Sequence, residues 1–424
     1  MRYYLGILFA VVILIIPWMA YNYPVETKSI FSSIEDIGIQ LAAVIVSHNP
    51  KTVAELRSRY NSSTPLIAAP PAKKVRILLV PGHEPNYGGA EYGPLKERNM
   101  TVELADDLQQ FLSQNSRYQV FITRDTQAWS PTFADYFSAK WNDIIAWQKA
   151  HKDEIINLER LGQFQAVTPE VDHQTVPNDV AMRIYGIDKW VDENDIDIVV
   201  HVHFNDYPGH GKAPGKYSGF TIYVPQKEYD NSTTTQAIAD TVFKRLDKYS
   251  AVSDLSGESG GIVQDQDLIA IGAYNSVDAA SMLIEYGYIY EPQFTDDALR
   301  SPAIKDLAFQ TYLGLQDFFD SNNAVSLSGS LDTLVMPHKW TNPIMSDNAR
   351  SSDIFALQTA LLIDGDYPPA DKSKNNCPRT GKLGPCTREA LQSFQNKFSI
   401  TGEKGIVGPK TINALNSVFG VKAI

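Results

Sequence analysis

The alternation of strand-like and helical segments constrains the fold of this chain most strongly. Between residues 75 and 320, short apolar runs alternate with longer stretches of helical periodicity. The first run, VRILLV, is typical of a buried strand, and RNMTVELADDLQQFLSQN after it carries apolar residues at helical spacing. Further strands are predicted at YQVFITRD, IDIVVHVHFND, GFTIYV and AASMLIEYGYI. This order predicts an α/β domain with a twisted, mostly parallel sheet flanked by helices.

One stretch, residues 126–180, interrupts the alternation. It is too long for a simple connection between two elements, and much of it has a helical pattern rich in Trp and Phe. We interpret it as an insertion or lid carried by the domain at 75–320.

The N-terminal residues 1–22 predict a membrane segment. After Arg2, about 18 residues carry no charge, which is near the lower limit for a spanning helix. We interpret the segment as an uncleaved signal anchor; a cleaved signal peptide is the alternative, and a buried core helix is the remaining one. Both main interpretations place the rest of the chain outside the cytoplasm, in the cell envelope. Residues 23–74 are predicted to hold a helix and a Pro- and Ser-rich linker at 61–74.

The C-terminal region is predicted to be a small all-α module at 349–424, after a linker at 321–348. Its segments repeat Leu-Gln and Phe-Gln, and Gly-Pro-x-Thr occurs twice, at 384–387 and 408–411. We expect Thr387 and Thr411 to be helix N-caps.

Charge and cysteine content narrow the function classes. The net charge of −12 and a pI near 5.2 argue against a nucleic-acid binder, because phosphate contacts need clustered Lys and Arg. The chain has two cysteines, Cys377 and Cys386. In an exported protein such a pair favours a disulfide, with two reduced thiols as the alternative.

Four ionisable residues at predicted strand ends and helix starts are candidates for a catalytic site. His83 follows the first strand, Glu97 begins the next helix, and His203 ends IDIVVHVHFND. Ligands of α/β domains usually bind at the carboxyl ends of strands, and two histidines with one carboxylate can hold zinc with a fourth position open for water. Glu285, in an apolar strand, is the candidate acid or base. By spacing alone, each could instead be a structural residue, such as a turn histidine, a first-turn carboxylate or a core residue paired with arginine.

Residues 75–320 also resemble the zinc-dependent N-acetylmuramoyl-L-alanine amidases of the AmiC/CwlV type. The resemblance lies in VPGHEPNYGG, the glutamate of LKERN, the Thr-Arg-Asp at 123–125, HVHFN and LIEYGYI, in the family's order. It implies that His83, Glu97 and His203 bind zinc and that Glu285 moves protons. It also assigns Asn205 to the family's Asn after the histidine, with a possible role in binding substrate.

Three departures from the family pattern concern the surroundings of the metal. Val80 stands where the family has Asp, His201 stands where it has Ser, and the Gly-Gly pair is displaced to Gly88 and Gly89. These changes put the substrate specificity and the catalytic rate in question more than the identity of the metal ligands. His173 and His210 lie in predicted loops and are expected to be solvated rather than metal ligands.

The C-terminal module resembles the peptidoglycan-binding domain 1 family, a three-helix fold. Leu357-Gln358, GKLGPCT, Phe394-Gln395 and GIVGPKT match its pattern. Together the resemblances imply a zinc amidase that cuts between N-acetylmuramic acid and L-alanine of peptidoglycan. A protein activator could displace the insertion at 126–180. Two alternatives stay open: a metal-free scaffold that binds the cell wall, and an amidase acting on another amide.

Overall fold

The central element is a six-stranded mixed β-sheet. The computed structural model describes residues 49–62, 73–171, 173, 175–207, 209–272, 278–320 and 332–420. The strands are β1 (Val75–Pro81), β2 (Glu91–Tyr92), β3 (Leu95–Lys96), β4 (Tyr118–Ile122), β5 (Ile198–Asn205), β6 (Thr221–Pro225), β7 (Ile262–Asp265) and β8 (Ala280–Tyr288).

Helices separate most of the strands along the chain. They are α1 (Val53–Ser62), α2 (Glu97–Ser113), α3 (Pro131–Arg160), α4 (Asn178–Glu193), α5 (Ser232–Tyr249), α6 (Pro292–Thr295), α7 (Asp297–Phe319), α8 (Ser352–Asp364), α9 (Pro385–Lys397) and α10 (Pro409–Phe419). The predicted α/β class and the five predicted strands are confirmed.

The strand order of the large sheet is β4-β1-β5-β8-β6-β7, and all neighbours are parallel except β6 and β8. Along β1, β5 and β8, the residues that point to either face of the sheet are buried, so both faces of the sheet are covered by other parts of the chain. That burial explains the nearly continuous apolar runs in the sequence. In the register, His203 lies opposite Glu285, which sets the two side chains on one face of adjacent strands.

Helix α1 was not predicted, and it overlaps the start of the linker expected at 61–74. Leu56 and Tyr60, one helical turn apart, are both buried in the main core. The Tyr60 ring stacks on Phe319 with 4.6 Å between centroids, and Arg57 Nε donates to the Phe318 carbonyl. Tertiary packing therefore makes this polar segment part of the domain.

The C-terminal module contains three helices in the described part of the chain, as predicted. Its core also includes Met336 and Trp340 from the segment predicted as a linker at 321–348. Trp340 N donates to the Asn416 side chain, and Asn416 Nδ2 donates back to the Trp340 carbonyl. The described half of that predicted linker is thus packed onto the module.

The two threonines predicted as N-caps are not caps. Gly384 and Gly408 occupy the cap positions, with a proline following each. Thr387 and Thr411 are buried in the first turns, where their hydroxyls accept hydrogen bonds from Gln358 and Gln395. The prediction was wrong because proline favours the first helical position, which moves the helix start ahead of the threonine.

The module is fixed to the sheet domain through the loop that runs from Cys377 to the start of α9. Cys377 and Cys386 are joined by a disulfide, with 5.8 Å between their Cα atoms. Within this loop, Arg379 pairs with Asp306 of α7 at 2.9 Å, and both side chains are buried. The Arg379 guanidinium also lies over the Phe355 ring, 4.4 Å from its centroid. A buried ion pair therefore forms part of the contact between the two domains.

The described residues Ala146–Gln165 belong to a second compact unit, separate from the unit that holds the sheet and the C-terminal module. Within this second unit the rings of Trp147 and His151 lie 3.9 Å apart. The helix predicted at 1–22 lies outside the described residues. Among the described helices, none combines the length and apolar character needed to cross a membrane.

Candidate metal centre and active site

His83, Glu97 and His203 converge at the carboxyl end of the sheet. One potential ligand atom from each lies within 4.8 Å of the others. Glu97 Oε2 is 2.8 Å from His83 Nε2, and Glu97 Oε1 is 3.0 Å from His203 Nδ1. Residues separated by more than a hundred positions thus meet because β1, α2 and β5 all end or begin at this edge.

The turn that carries His83 is tightly braced. His83 has a positive φ of 69°, which is uncommon for a residue other than glycine. Gly82 before it lies against His203, and a Cβ at Gly82 would fall 2.3 Å from the imidazole. Arg124, at the end of β4, donates to the carbonyls of Pro81 and Gly82. Its burial lowers the pKa of Arg124 to about 10.

Glu97 is held as a carboxylate. The backbone N–H groups of Ala90 and Phe204 donate to its two oxygens, at 2.8 and 3.1 Å. Burial alone would raise the pKa of Glu97, but the imidazoles of His83 and His203 hold it well below the ordinary value. An ionised, buried carboxylate beside two imidazoles is a set of donors suited to a divalent cation.

His201 and His203 point to the same face of β5, but only His203 joins the cluster. Burial lowers the pKa of His203, even though Glu97 acts in the opposite direction. His201 is 2% exposed, and its Nε2 has no hydrogen-bond partner among the described residues. Burial, with a smaller effect from His203, lowers the pKa of His201 to about 3. His201 is therefore a neutral imidazole behind the site.

Glu285 lies beside the cluster without a hydrogen bond to its buried oxygen. Its Oε2 has no partner in the described part of the chain, so no core arginine pairs with it there. Burial, followed by the charges of Glu97 and Glu258, raises the pKa of Glu285 well above the ordinary value. A carboxyl group that holds its proton at a higher pH than usual is suited to acid–base chemistry.

Glu258 ties together the strands around Glu285. Its two oxygens accept hydrogen bonds from Asn205 Nδ2 at 2.9 Å, Tyr223 OH at 2.7 Å, Tyr288 OH at 3.1 Å and Ser253 Oγ. These donors come from β5, β6, β8 and the segment before Glu258. Sequence reasoning missed Glu258, which sits in an ordinary-looking Ser- and Gly-rich loop, and no local pattern marks it.

The remaining sequence candidates lie near the site but not in the cluster. His173 Nε2 is 3.2 Å from Asp265, and His210 Nε2 is 2.9 Å from Asp206. Both histidines are partly buried and each is paired with a carboxylate, which differs from the solvated loop positions expected for them. Gly89, with φ 82°, packs against the His83 ring.

The residues present fit a bound metal ion. His83 Nε2 is buried and lies 2.8 Å from Glu97 Oε2, yet it makes no hydrogen bond among the described residues. The close approach of an imidazole nitrogen and a carboxylate oxygen, without well-directed hydrogen-bond geometry, suits two ligands aimed at one cation. Nitrogen and carboxylate donors are ligands that zinc accepts.

The sequence profile of the N-acetylmuramoyl-L-alanine amidases matches residues 77–317, which is more than half of the chain. This chain belongs to that family. The matched residues contain most of β1, the whole His83–Glu97–His203 cluster and Glu285. Peptidoglycan amidase activity is therefore the activity of this chain, and the metal ion itself is not identified by the match.

A second profile, described as a putative peptidoglycan-binding domain, matches residues 350–415 of the amidase. The match covers α8, α9 and most of α10, so the predicted C-terminal module is confirmed as a member of that domain family. It supports binding of the amidase to peptidoglycan. No curated protein matches the chain.

Solved amidase structures are similar to the sheet domain at low identity. The CwlD amidase from Clostridioides difficile, solved in complex with the GerS lipoprotein, is 14% identical with a TM-score of 0.38; the match covers 59% of this chain and 100% of that one. Ami1 from Mycobacterium abscessus is 16% identical with a TM-score of 0.36, over 57% of this chain and 97% of that one. The CwlV catalytic domain from Bacillus (Paenibacillus) polymyxa is 14% identical with a TM-score of 0.31, over 58% and 96%.

Proposed function

We propose that the amidase is zinc-dependent and that His83, Glu97 and His203 hold the zinc ion. The observation that carries this proposal is the convergence of the three ligand atoms within 4.8 Å, together with the unbonded His83 Nε2. When bound, zinc would polarise the scissile carbonyl and supply a water nucleophile near neutral pH. The bond cut is the amide between N-acetylmuramic acid and L-alanine of the stem peptide.

We assign Glu285 as the group that moves protons during the reaction. Its strand register sets it beside His203, and its raised pKa suits a group that exchanges protons with the reactants. Glu285 takes the proton of the attacking water and then delivers one to the leaving amine. Asn205 is oriented by its hydrogen bond to Glu258, which leaves the Asn205 carbonyl oxygen to accept a bond from the substrate.

The C-terminal domain would keep the catalytic domain close to its polymeric substrate. Binding the wall at a second site raises the local concentration of scissile bonds around the active site. The Arg379–Asp306 pair would give this anchor a fixed orientation relative to the active site, since both side chains are buried in the contact. Loss of the module would therefore raise KM for intact wall more than for soluble fragments.

We propose that the insertion at 126–180 restricts access to the active site. Residues on both sides of Ala146–Gln165 contact the surroundings of the site: Trp129 reaches Glu84, and His173 reaches Asp265 and the Tyr223 ring. A protein activator would displace the insertion. Deleting it should raise basal cleavage, and unchanged or lower cleavage by a folded deletion variant would remove this idea.

The location we propose is the extracytoplasmic cell envelope, where peptidoglycan lies. A membrane anchor at residues 1–22 is part of this proposal and rests on the sequence alone. Fractionation of cells that express the whole chain, before and after a high-salt wash, tests the anchor. Release of the protein by salt would argue against it.

One experiment tests the catalytic assignment. Zinc content and digestion of purified peptidoglycan are measured for the wild type, for Glu285→Ala and for Glu55→Ala, a control at an exposed glutamate of α1. We expect one zinc per chain in all three, with cleavage lost only in Glu285→Ala. A wild type without zinc would favour the scaffold alternative, and products cut within the stem peptide would favour another amide.

A further inference from the structure

A buried carboxylate next to the metal ligand His83 receives bonds from both ends of the insertion. Glu84 is 8% exposed and accepts a hydrogen bond from Trp129 Nε1 at 3.1 Å. Its other oxygen accepts one from Arg183 Nε at 2.7 Å. Trp129 lies near the start of the insertion at 126–180, before α3, and Arg183 lies in α4 just after its end. We name Glu84, Trp129 and Arg183 the Glu84 clamp.

The clamp acts on the turn that presents His83. The Trp129 segment is fixed beside this turn, because Trp129 pairs with Arg124 in an antiparallel bridge. Arg124 in turn donates to the Gly82 carbonyl, on the other side of His83. The residues before and after His83 are thus both held by the chain that follows β4. This matters because His83 keeps a positive φ, which its own side chain does not favour.

The resemblance to the family gives no reason for an acidic residue here, since the family has glycine after its histidine. Burying a carboxylate at this position costs hydration free energy unless it is paired, and among the described residues its side-chain partners are Trp129 of the insertion and Arg183 of α4. The bond to Arg183 is a charge-assisted one between a buried carboxylate and a guanidinium that Asp179 also contacts. The geometry therefore links the position of the ligand His83 to the chain segments at the start and just past the end of the insertion.

We propose that Glu84 is a positioning residue, which sets the His83 imidazole through its bonds to Trp129 and Arg183 and so makes metal affinity depend on the seating of the insertion. The proposal rests on the proposed zinc site. Groups that hydrogen-bond directly to a ligand change metal affinity by roughly 10- to 100-fold, and Glu84 acts on His83 through the backbone that joins them, so we take the lower end of this range. A movement of the insertion that breaks the clamp would accordingly alter metal binding as well as access.

Zinc affinity, measured by competition with a chromogenic chelator, tests the proposal in the full chain. The variants are Glu84→Gln, Trp129→Phe, which removes only the indole N–H donor, and the double variant. Asp179→Asn is the matched control, because it removes the exposed partner of Arg183 and leaves the bond to Glu84. We expect about tenfold or greater weakening for Glu84→Gln, a smaller loss for Trp129→Phe, and little change for the control.

The double variant separates a specific clamp from general damage. If Trp129 acts through Glu84, then Trp129→Phe should weaken zinc binding no further once Glu84 is glutamine. Thermal unfolding with the metal chelated gives a second measurement: a merely structural role would lower this melting temperature while zinc affinity stays within about twofold of the wild type. That result, or equal weakening by Asp179→Asn, would overturn the proposal. A wild type that binds no zinc would instead refute the proposed function.

Discussion

The buried His201 should make the amidase lose stability in mild acid, and this prediction can be worked through quantitatively. His201 is 2% exposed, and its burial lowers the pKa to about 3, against 6.5 for an ordinary histidine. Between these two values the unfolded chain binds a proton on this residue and the folded chain does not. Stability is therefore present above the unfolded pKa and falls as the pH drops toward the folded one.

The size of the effect follows from the difference in pKa. Each pH unit in this window removes about 1.4 kcal/mol of unfolding free energy. Between pH 8 and pH 5, the contribution of His201 therefore falls by about 2 kcal/mol. The variant His201→Gln keeps a polar side chain of similar reach and has no charge to titrate. Its stability should decline less over the same range, by about this amount.

Urea unfolding followed by tryptophan fluorescence measures the difference, with a chelator present so that both proteins are compared without metal. His210→Gln is the control, because the hydrogen bond that His210 donates to the Asp206 carboxylate raises the pKa of His210. A raised pKa gives stability at low pH that is lost as the pH rises, so this control should lose more stability in acid. If the wild type and His201→Gln decline in parallel from pH 8 to pH 5, His201 is not held neutral and the reasoning is refuted.

Three further variants test separate contacts. Glu97→Gln removes the anionic ligand and should weaken zinc binding by more than about 100-fold, measured by chelator competition; retained zinc would remove Glu97 from the ligand set. Glu258→Ala leaves the buried hydroxyls of Tyr223 and Tyr288 without their acceptor. It should lower the free energy of unfolding in urea by at least about 2 kcal/mol, and a loss of less than half that amount would count against the hydrogen-bond network. Arg379→Met removes the ion-pair partner of the buried Asp306 carboxylate and should lower the free energy of unfolding by about 3 kcal/mol in the same assay. An unchanged free energy of unfolding would mean that the pair does not hold the domains together.

The outline of the catalytic domain could be predicted because its signals are local. A strand buried on both faces is apolar at nearly every position, and a helix that packs on a sheet repeats its apolar residues about every 3.6 residues. VRILLV and VELADDLQQFL satisfy these conditions, and they fold as β1 and α2. The order of such segments then restricts the topology, which is why the α/β class followed from the sequence.

The candidate metal ligands could be found in the sequence for a related reason. The carboxyl ends of parallel strands lie at one edge of the sheet, however long the segments between the strands are. His83 and His203 sit at the ends of recognisable strands, and Glu97 starts a recognisable helix. Spacing alone did not exclude a structural role for any of these three residues, and the family resemblance favoured metal binding. The distances among their ligand atoms came only from the folded chain.

The sequence by itself determined the five long strands, the alternation of helices with them and the edge at which they meet, because each of these depends on neighbours within a few residues. The tertiary structure alone decided which charged side chains are buried and with whom. Glu84 with Trp129, Glu258 with Tyr223, and Arg379 with Asp306 are each more than 30 residues apart. Burying a charge costs hydration free energy unless an oppositely charged or hydrogen-bonding partner compensates it. In these three pairs the partner is distant along the chain, so no local sequence pattern identifies it.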